Sequence, residues 1–472
     1  MAPTHQDYDV VVCGAGIAGI AAAYALTQTE LKRVLIVDPG PPLSLTSDKS
    51  TECYRNWWPG PGDAMVSLMN RSIDLMEGHA QDSGNSFLLN RRGYVFATAR
   101  PDMVDTFAEQ ASEAESLGAG PLRHINNGAL YEAAAAEGFE SPLDGADLIT
   151  DKALIHTHFP YLNPETVAVL HARRCGSLSA QQMGMYLLER ARENGTQFFS
   201  AALSGIETSA GRVTSVRLKT DGDEFEIRTD NVVLSTGPYF KECASLLGVE
   251  LPVAVEKHIK ISLPDPHGAI PREAPLIIWT DPITLDWSDD EREALSQSDE
   301  TQYLLEEFPA GVHGRPVGAG DQVLMYWTYD CTPQDDPTFP LDWDPYLPDI
   351  TLRGMARLVP GLERYFDPMP KPFVDGGYYT KTEENRPLIG PLGVPGAFVC
   401  AAFSGFGIMA SCASGELLAN HVAGMGLPAY ADAFDLARYR DPEYQKLLES
   451  WDSSGQLSWT WDRLTRYKSS SK

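Results

Sequence analysis

Apolar positions near the start of the chain come in runs rather than in alternation. Asp7 to Cys13 ends in Val10-Val11-Val12-Cys13, which predicts a strand buried on both faces, as in a parallel sheet. The Ala-rich stretch Ile17 to Thr29 predicts a helix, and Arg33 to Val37 a second buried strand. Pro39 to Lys49 is loop. Met65 to Gly78 and Met103 to Leu117 have helical spacing, and Ser86 to Ala97 reads as a β-hairpin. Ser179 is a suitable N-cap for a helix through Asn194, which Gly195 ends. Phe198 to Thr208, Arg212 to Thr220 and Phe225 to Thr229 read as strands, and Asp230 to Pro238 as a buried strand closing on a glycine turn. Val323 to Tyr329 alternates, with Met325, Trp327 and Tyr329 on one face and Leu324, Tyr326 and Thr328 on the other. Either face could be the packed one. Thr351 to Val359 reads as helix, Ala397 to Ala402 as strand, and a further helix runs to Ala423. The charged, aromatic tail from Asp432 predicts a surface helix with a frayed end. This order of elements is that of an α/β (α+β) protein.

Charge changes the picture more than composition does. Hydrophobic content of 43% and charged content of 22% are ordinary for a globular protein of 472 residues. The net charge of −28 argues against a nucleic-acid partner or an anionic membrane surface, both of which select basic patches. An anionic substrate would therefore depend on local Arg or Lys. The seven cysteines are scattered and without C-x-x-C spacing, which suggests reduced thiols in a cytoplasmic setting. The N-terminus has no basic n-region, and glycines interrupt the apolar stretch behind it, so neither a signal peptide nor a membrane span is expected.

The first chemistry-bearing motif is Gly14-Ala15-Gly16-Ile17-Ala18-Gly19, between a predicted strand and a predicted helix. Gly14 suits a tight turn, Gly16 leaves bare backbone for a pyrophosphate, and Gly19 lets helix and strand pack closely. A helix N-terminus attracts phosphate. Asp38 follows Gly19 by nineteen residues, where a carboxylate would take the ribose hydroxyls of an adenine dinucleotide. The competing reading is a glycine turn in an unrelated α/β protein. The second region is Gly377 to Pro391, followed by a strand and by Phe403-Ser404-Gly405-Phe406-Gly407-Ile408-Met409 at a helix start. That corner would stabilise negative charge on an electron-accepting ring.

Taken in order, the N-terminal fingerprint, Gly176-Ser177-Leu178-Ser179, Val232 to Gly237, Arg386-Pro387-Leu388-Ile389-Gly390-Pro391 and Ser404 to Gly407 resemble the D-amino-acid oxidase and glycine/sarcosine oxidase superfamily. The resemblance spans nearly the whole chain. It implies a Rossmann-like FAD-binding domain drawn from 1–85, 165–250 and 375–430. A β-sheet substrate domain from 86–164 and 251–374, and a helical tail over 431–472, complete the expected organisation. It also implies oxidation of a C–N bond of an amine or amino acid, a secondary amine foremost, by hydride transfer to flavin N5, giving an imine, with oxygen or another acceptor taking the electrons. Gly14, Ala15, Gly16, Ala18, Gly19, Asp38, Pro39 and Leu203 would hold the pyrophosphate and adenosine side. Ser50, Thr51, Gly237, Ser404, Gly405, Phe406, Gly407, Ile408 and Met409 would meet the flavin side. Arg55 falls where sarcosine-type enzymes bind the substrate carboxylate, against the alternative of a structural ion pair.

Several positions depart from the family pattern. Gly377 stands where sarcosine oxidases carry the cysteine that bonds flavin, so FAD is expected to be non-covalent there. Phe406 and Met409 replace residues tied to recognition of small amino acids, which keeps open a flavin dehydrogenase of a 2-hydroxy acid or a tailoring oxidase of a larger metabolite. No lysine occurs between Ile261 and Pro370, so oxygen activation falls to Lys260 or Lys381, or oxygen is not the acceptor. Lys381 could favour the reduced ring or bind an anion, or simply pair with Glu383 or Glu384. Tyr326, Trp327 and Tyr329 are candidate walls of the substrate pocket. His156, His158 and His258 read as ordinary histidines. A non-catalytic flavoprotein is the remaining alternative.

Overall fold

The strand Val10–Cys13 sits inside a six-stranded sheet, parallel to Val232–Leu234 on one side and to Val34–Asp38 on the other. Gln197–Ser200 and Ala397–Ala401 extend the sheet in parallel, and Leu388–Pro391 closes one edge antiparallel. The computed structural model describes residues 5, 7–58, 60–126 and 130–453. Continuous apolar runs follow from this position. Val10 and Val12 pack into a core with the helices Ile17–Thr27, Ala180–Glu193 and Gly407–Ala423, whereas Val11 and Cys13 pack on the other face. There the three-stranded sheet Ala202–Ser209, Arg212–Lys219 and Glu224–Arg228 covers them. Ser179 caps its helix by accepting from Gln182 N, and Gly195 turns the chain at φ +99°.

A second sheet of ten strands carries most of the remaining chain. Ala254–Pro264 pairs antiparallel with Phe373–Lys381 on one side and with Gln322–Tyr326 on the other. The sheet continues through His313–Pro316, Leu276–Trp279, Tyr94–Thr98 and Ala168–Ala172. Two strands expected with the nucleotide sheet, Ala168–Ala172 and Phe373–Lys381, are hydrogen-bonded into this one instead. The hairpin expected over Ser86 to Ala97 does not form. Only Tyr94–Thr98 is a strand, and its partners are distant in sequence. The preceding segment is held as a turn: Leu88 has φ +56° and Asn85 Oδ1 accepts from Leu89 N.

The tail is more anchored than a surface helix. Arg438 is buried against Glu384, whose Oε1 accepts from Arg438 Nη2, Tyr439 Oη and Tyr444 Oη, each at 2.8 Å. The helix Pro442–Ser453 follows, and the frayed end expected beyond it lies outside the described residues.

Burial in the second sheet has a pH consequence. His171 lies between the Arg92 carbonyl, 2.9 Å away, and Tyr131 Oη, 2.8 Å away. Burial, then the charge of Arg173, push its pKa down to about 3. The folded protein thus excludes a proton that the unfolded chain takes up near the usual histidine value of about 6.5. The stability tied to neutral His171 is complete above that value and erodes as pH falls from about 6.5 towards 3. Denaturant midpoints measured across this range should fall less steeply in His171→Asn than in the parent.

Candidate functional site

The two glycine corners, far apart in sequence, line one cavity. It encloses about 650 Å³ between Gly16, Ile17 and Ala18, the loop residues Thr46, Ser47 and Ser50, and Ser404, Gly405, Gly407 and Ile408. Gly14 turns at φ +108°, and any Cβ there would lie 2.2 Å from the Ser235 carbonyl oxygen. This is the close strand-to-strand approach that sets the corner. Neither the helix Ile17–Thr27 nor Gly407–Ala423 has a side-chain cap at its start. Ser47 Oγ takes Ile17 N at 3.0 Å. The Ser235 and Ser404 hydroxyls, both on residues lining this cavity, are buried without a hydrogen-bond partner among the described residues. Buried hydroxyls of that kind call for a polar occupant.

Asp38 ends its strand beside this corner, with Oδ2 accepting from Ala15 N at 2.7 Å and Oδ1 from Gly40 N at 2.8 Å. Gly237 lines the cavity and its carbonyl accepts from Thr380 Oγ1. Of the residues expected on the cofactor's adenosine and pyrophosphate side, Gly14, Ala15, Gly19, Asp38, Pro39 and Leu203 are not among the lining residues. The Pro39 carbonyl takes the Ser200 hydroxyl, and Leu203 pairs with Leu218 in the three-stranded sheet. Gly377 faces the loop, where an added Cβ would lie 3.4 Å from Thr46 and Lys49.

A second cavity, also about 650 Å³, adjoins the first and shares Tyr379, Ser404 and Gly405 with it. Thr51, Arg55, Trp58, Tyr94, Leu276, Phe406 and Met409 form one part of its wall, and His258, His313 and Tyr326 another. Arg55 is buried, its guanidinium 4.3 Å from the Trp58 ring, and it is the one cation among the lining residues. No carboxylate is among the described residues that line this cavity. The loop that carries Thr51 is pinned by Arg315, which donates to the Thr51 carbonyl at 2.8 Å and to Glu52 Oε2 at 3.0 Å. His313 Nδ1 donates to the Gly311 carbonyl, 3.0 Å away, and burial pushes its pKa down to about 3, so it is neutral.

The alternating strand resolves one expectation in each direction. Tyr326 faces the second cavity, whereas Trp327 and Tyr329 pack into the core on the opposite face. Trp327 Nε1 donates to the Pro309 carbonyl and Tyr329 Oη approaches Asp344. Neither therefore walls the pocket: the strand expected over Val323 to Tyr329 ends at Tyr326, and the chain beyond it carries Trp327 and Tyr329 into the core. Lys381 lines neither cavity. Its Nζ donates to Glu256 Oε2 at 2.8 Å, a partner on the neighbouring strand.

Sequence reasoning passed over His258, which lines the second cavity and stacks on Tyr379 at 3.9 Å. Its Nδ1 meets Tyr326 Oη and its Nε2 lies 3.3 Å from Glu256 Oε2. The period of Glu256, His258 and Lys260 along one strand was the available signal, since it puts three titratable groups on one face. Burial pushes the Glu256 carboxyl up, but His258 and Lys381 outweigh it and bring it down to about 2. Lys260 Nζ donates to the Lys49 carbonyl, beside Ser50, and burial lowers it to about 8.

A family model described as FAD dependent oxidoreductase matches residues 9–421. No curated protein sequence matches the chain. Among solved structures, it is similar to L-proline dehydrogenase from P.horikoshii, with TM-score 0.70 and 19% identity over 92% of this chain and 98% of that one. Glycine oxidase from Geobacillus kaustophilus gives 0.68 and 19% over 92% and 98%. Iminodiacetate oxidase from Chelativorans sp. BNC1 gives 0.66 and 16% over 90% and 98%. Among the described residues no helix is long and apolar enough to cross a membrane, and no metal-binding cluster occurs.

Proposed function

The chain belongs to the FAD dependent oxidoreductase family, and from that premise we propose that it oxidises the C–N bond of an amino acid with an apolar or aromatic side chain. The observation that carries this reading is the second cavity, with one buried guanidinium set in an otherwise aromatic and apolar wall. The solved structures of similar fold include enzymes named for proline, glycine and iminodiacetate, each a carboxylate-bearing amine.

The first cavity suits FAD. Gly16, Ile17 and Ala18 would meet the pyrophosphate, and Ser404, Gly405, Gly407 and Ile408 the flavin edge, with the orphaned Ser235 and Ser404 hydroxyls as hydrogen-bonding groups, while Asp38 stands beside the corner as the candidate for the ribose. With glycine at position 377, attachment of the ring through that residue is ruled out by chemistry. Bound FAD supplies a two-electron acceptor. The residues of the chain do the rest. Arg55 takes the carboxylate, and its planar fork fixes the orientation of Cα. Trp58, Leu276, Phe406 and Met409 cover the side chain and exclude water, which strengthens the Arg55 contact. Anaerobic mixing with N-methyl and primary amino acids tests the proposal. Bleaching of the flavin with imine or ammonia release supports it, and ketone formation from 2-hydroxy acids alone favours the alternative chemistry.

Lys260 is the cation available to oxygen, because Lys381 is held by Glu256. Lys260 is half-buried and lines neither cavity, but its ammonium lies beside Ser50 of the first, where it would stabilise developing negative charge on oxygen. Lys260→Met is expected to slow reoxidation by oxygen by roughly a hundredfold while leaving reduction by substrate and reoxidation by a dye acceptor within a factor of a few. Stopped-flow traces of the separate half-reactions check this.

A further inference from the structure

A chain of four side chains leads away from the second cavity. Tyr326 and His258 line it; Glu256 and Lys381 stand behind them. We infer that Tyr326, His258 and Glu256 form a proton relay that strips the ammonium proton from the bound amine. Arg55 is the one charged group in the wall, so an amino acid arriving as a zwitterion meets no carboxylate that could take its proton. An ammonium nitrogen has no lone pair to assist loss of hydride from Cα. The inference rests on the substrate class proposed above and assigns the group that neutralises it.

The geometry fixes the direction of transfer. Glu256 is held ionised by Lys381 Nζ at 2.8 Å, and its Oε2 lies 3.3 Å from His258 Nε2, an ion-pair distance at which a carboxylate favours a proton on that nitrogen. In the tautomer with its proton on Nε2, His258 offers Nδ1 to the Tyr326 hydroxyl, which meets it. The phenol oxygen lines the cavity, where it would accept an N–H of the amine. As the ammonium proton moves to Tyr326 Oη, the Tyr326 hydroxyl proton moves to His258 Nδ1. The N–H bonding pair stays on the amine nitrogen, and the charge comes to rest on His258 beside Glu256. The Tyr379 ring, stacked at 3.9 Å and 22°, keeps the imidazole in this plane.

Other charged or titratable groups around His258 define its balance. Lys260 is on its own strand, Cys331 Sγ lies 3.4 Å from Nδ1, and His313 stands edge-on to Tyr326 at 4.9 Å. Lys257, also on this strand, is paired with Asp342, and Arg55 lines the same cavity. His313 is neutral, so among the imidazoles of this wall only His258 has a carboxylate to stabilise the cationic form. Glu256 and Lys381 act through His258 and are positioning residues.

The test uses the FAD-loaded enzyme and N-methylphenylalanine. At neutral pH, Tyr326→Phe and His258→Asn should reduce the flavin about a hundredfold more slowly than the parent. The deficit should vanish at pH values above the amine pKa, where the substrate arrives neutral. Glu256→Gln should show a smaller deficit that closes in the same way. A deficit that stays constant with pH overturns the relay. A second readout needs no turnover: histidine 15N spectra with α-methylphenylalanine, which has no hydrogen on Cα. His258 should turn cationic on binding in the parent, should not in Tyr326→Phe, and should not with 3-phenylpropanoate, which lacks the amine. A His258 signal that stays neutral with the amine present overturns the relay even if the flavin bleaches. A flavin that no amine bleaches would instead overturn the proposed reaction, leaving the spectra to decide the relay.

Discussion

Gly14→Val is expected to give a protein without flavin colour, most of it insoluble. The φ of +108° is costly for any side chain, and the new Cβ would lie 2.2 Å from the Ser235 carbonyl oxygen. That oxygen belongs to backbone, with Val10–Cys13 and Val232–Leu234 locked in parallel register just before the corner. Relief would have to part the two strands that floor the first cavity. A clash of this kind belongs with the severe class, above about 4 kcal/mol. Gly211→Ala is the control. It also has positive φ, +76°, but nothing lies within 4 Å of its Cβ, so strain alone acts and costs about 1 kcal/mol. Visible absorbance of the soluble fraction, with and without added FAD, checks both. A yellow, soluble Gly14→Val protein would remove the corner from the account of the site.

Arg55→Met should lower kcat/KM for carboxylate-bearing amines by about 30-fold to several thousandfold, the equivalent of roughly 2–5 kcal/mol for a desolvated charge pair that loses one partner. The same substitution should leave the decarboxylated amine with the same side chain nearly unaffected. Arg55→Lys should recover part of the loss, since the ammonium restores charge but not the two-pronged geometry. Steady-state comparison of phenylalanine with phenethylamine makes the distinction. An equal loss on both would assign Arg55 to packing against Trp58, 4.3 Å away, rather than to the carboxylate.

Different parts of this protein were legible to different degrees. Local chemistry was read well where a motif carries its own geometry. The runs Val10 to Cys13 and Val232 to Leu234 are parallel neighbours, Ser179 caps its helix, and the glycine corners at Gly14 and Gly405 turn with positive φ. Ser86 to Ala97 shows the opposite case. Its alternation suggested a hairpin, but the turn at Leu88 and the pairing of Tyr94–Thr98 with Leu276–Trp279 depend on partners far along the chain. Lys381 illustrates the same limit for charge. Acidic neighbours in sequence were the natural partners, yet a strand points successive side chains to opposite faces, and Glu256 on the next strand comes within reach.

What the sequence determined by itself was composition of faces: a strand that sorts Tyr326 from Trp327 and Tyr329, another that groups Glu256, His258 and Lys260, and two glycine corners suited to anions. Tertiary structure alone decided which face meets the core and which meets the cavity. The physical reason is that a period of two defines two sides without ranking them. Only the packing of Trp327 in the second core, and the approach of the Tyr379 strand and of the short strand Cys53–Arg55, turned one side into a site.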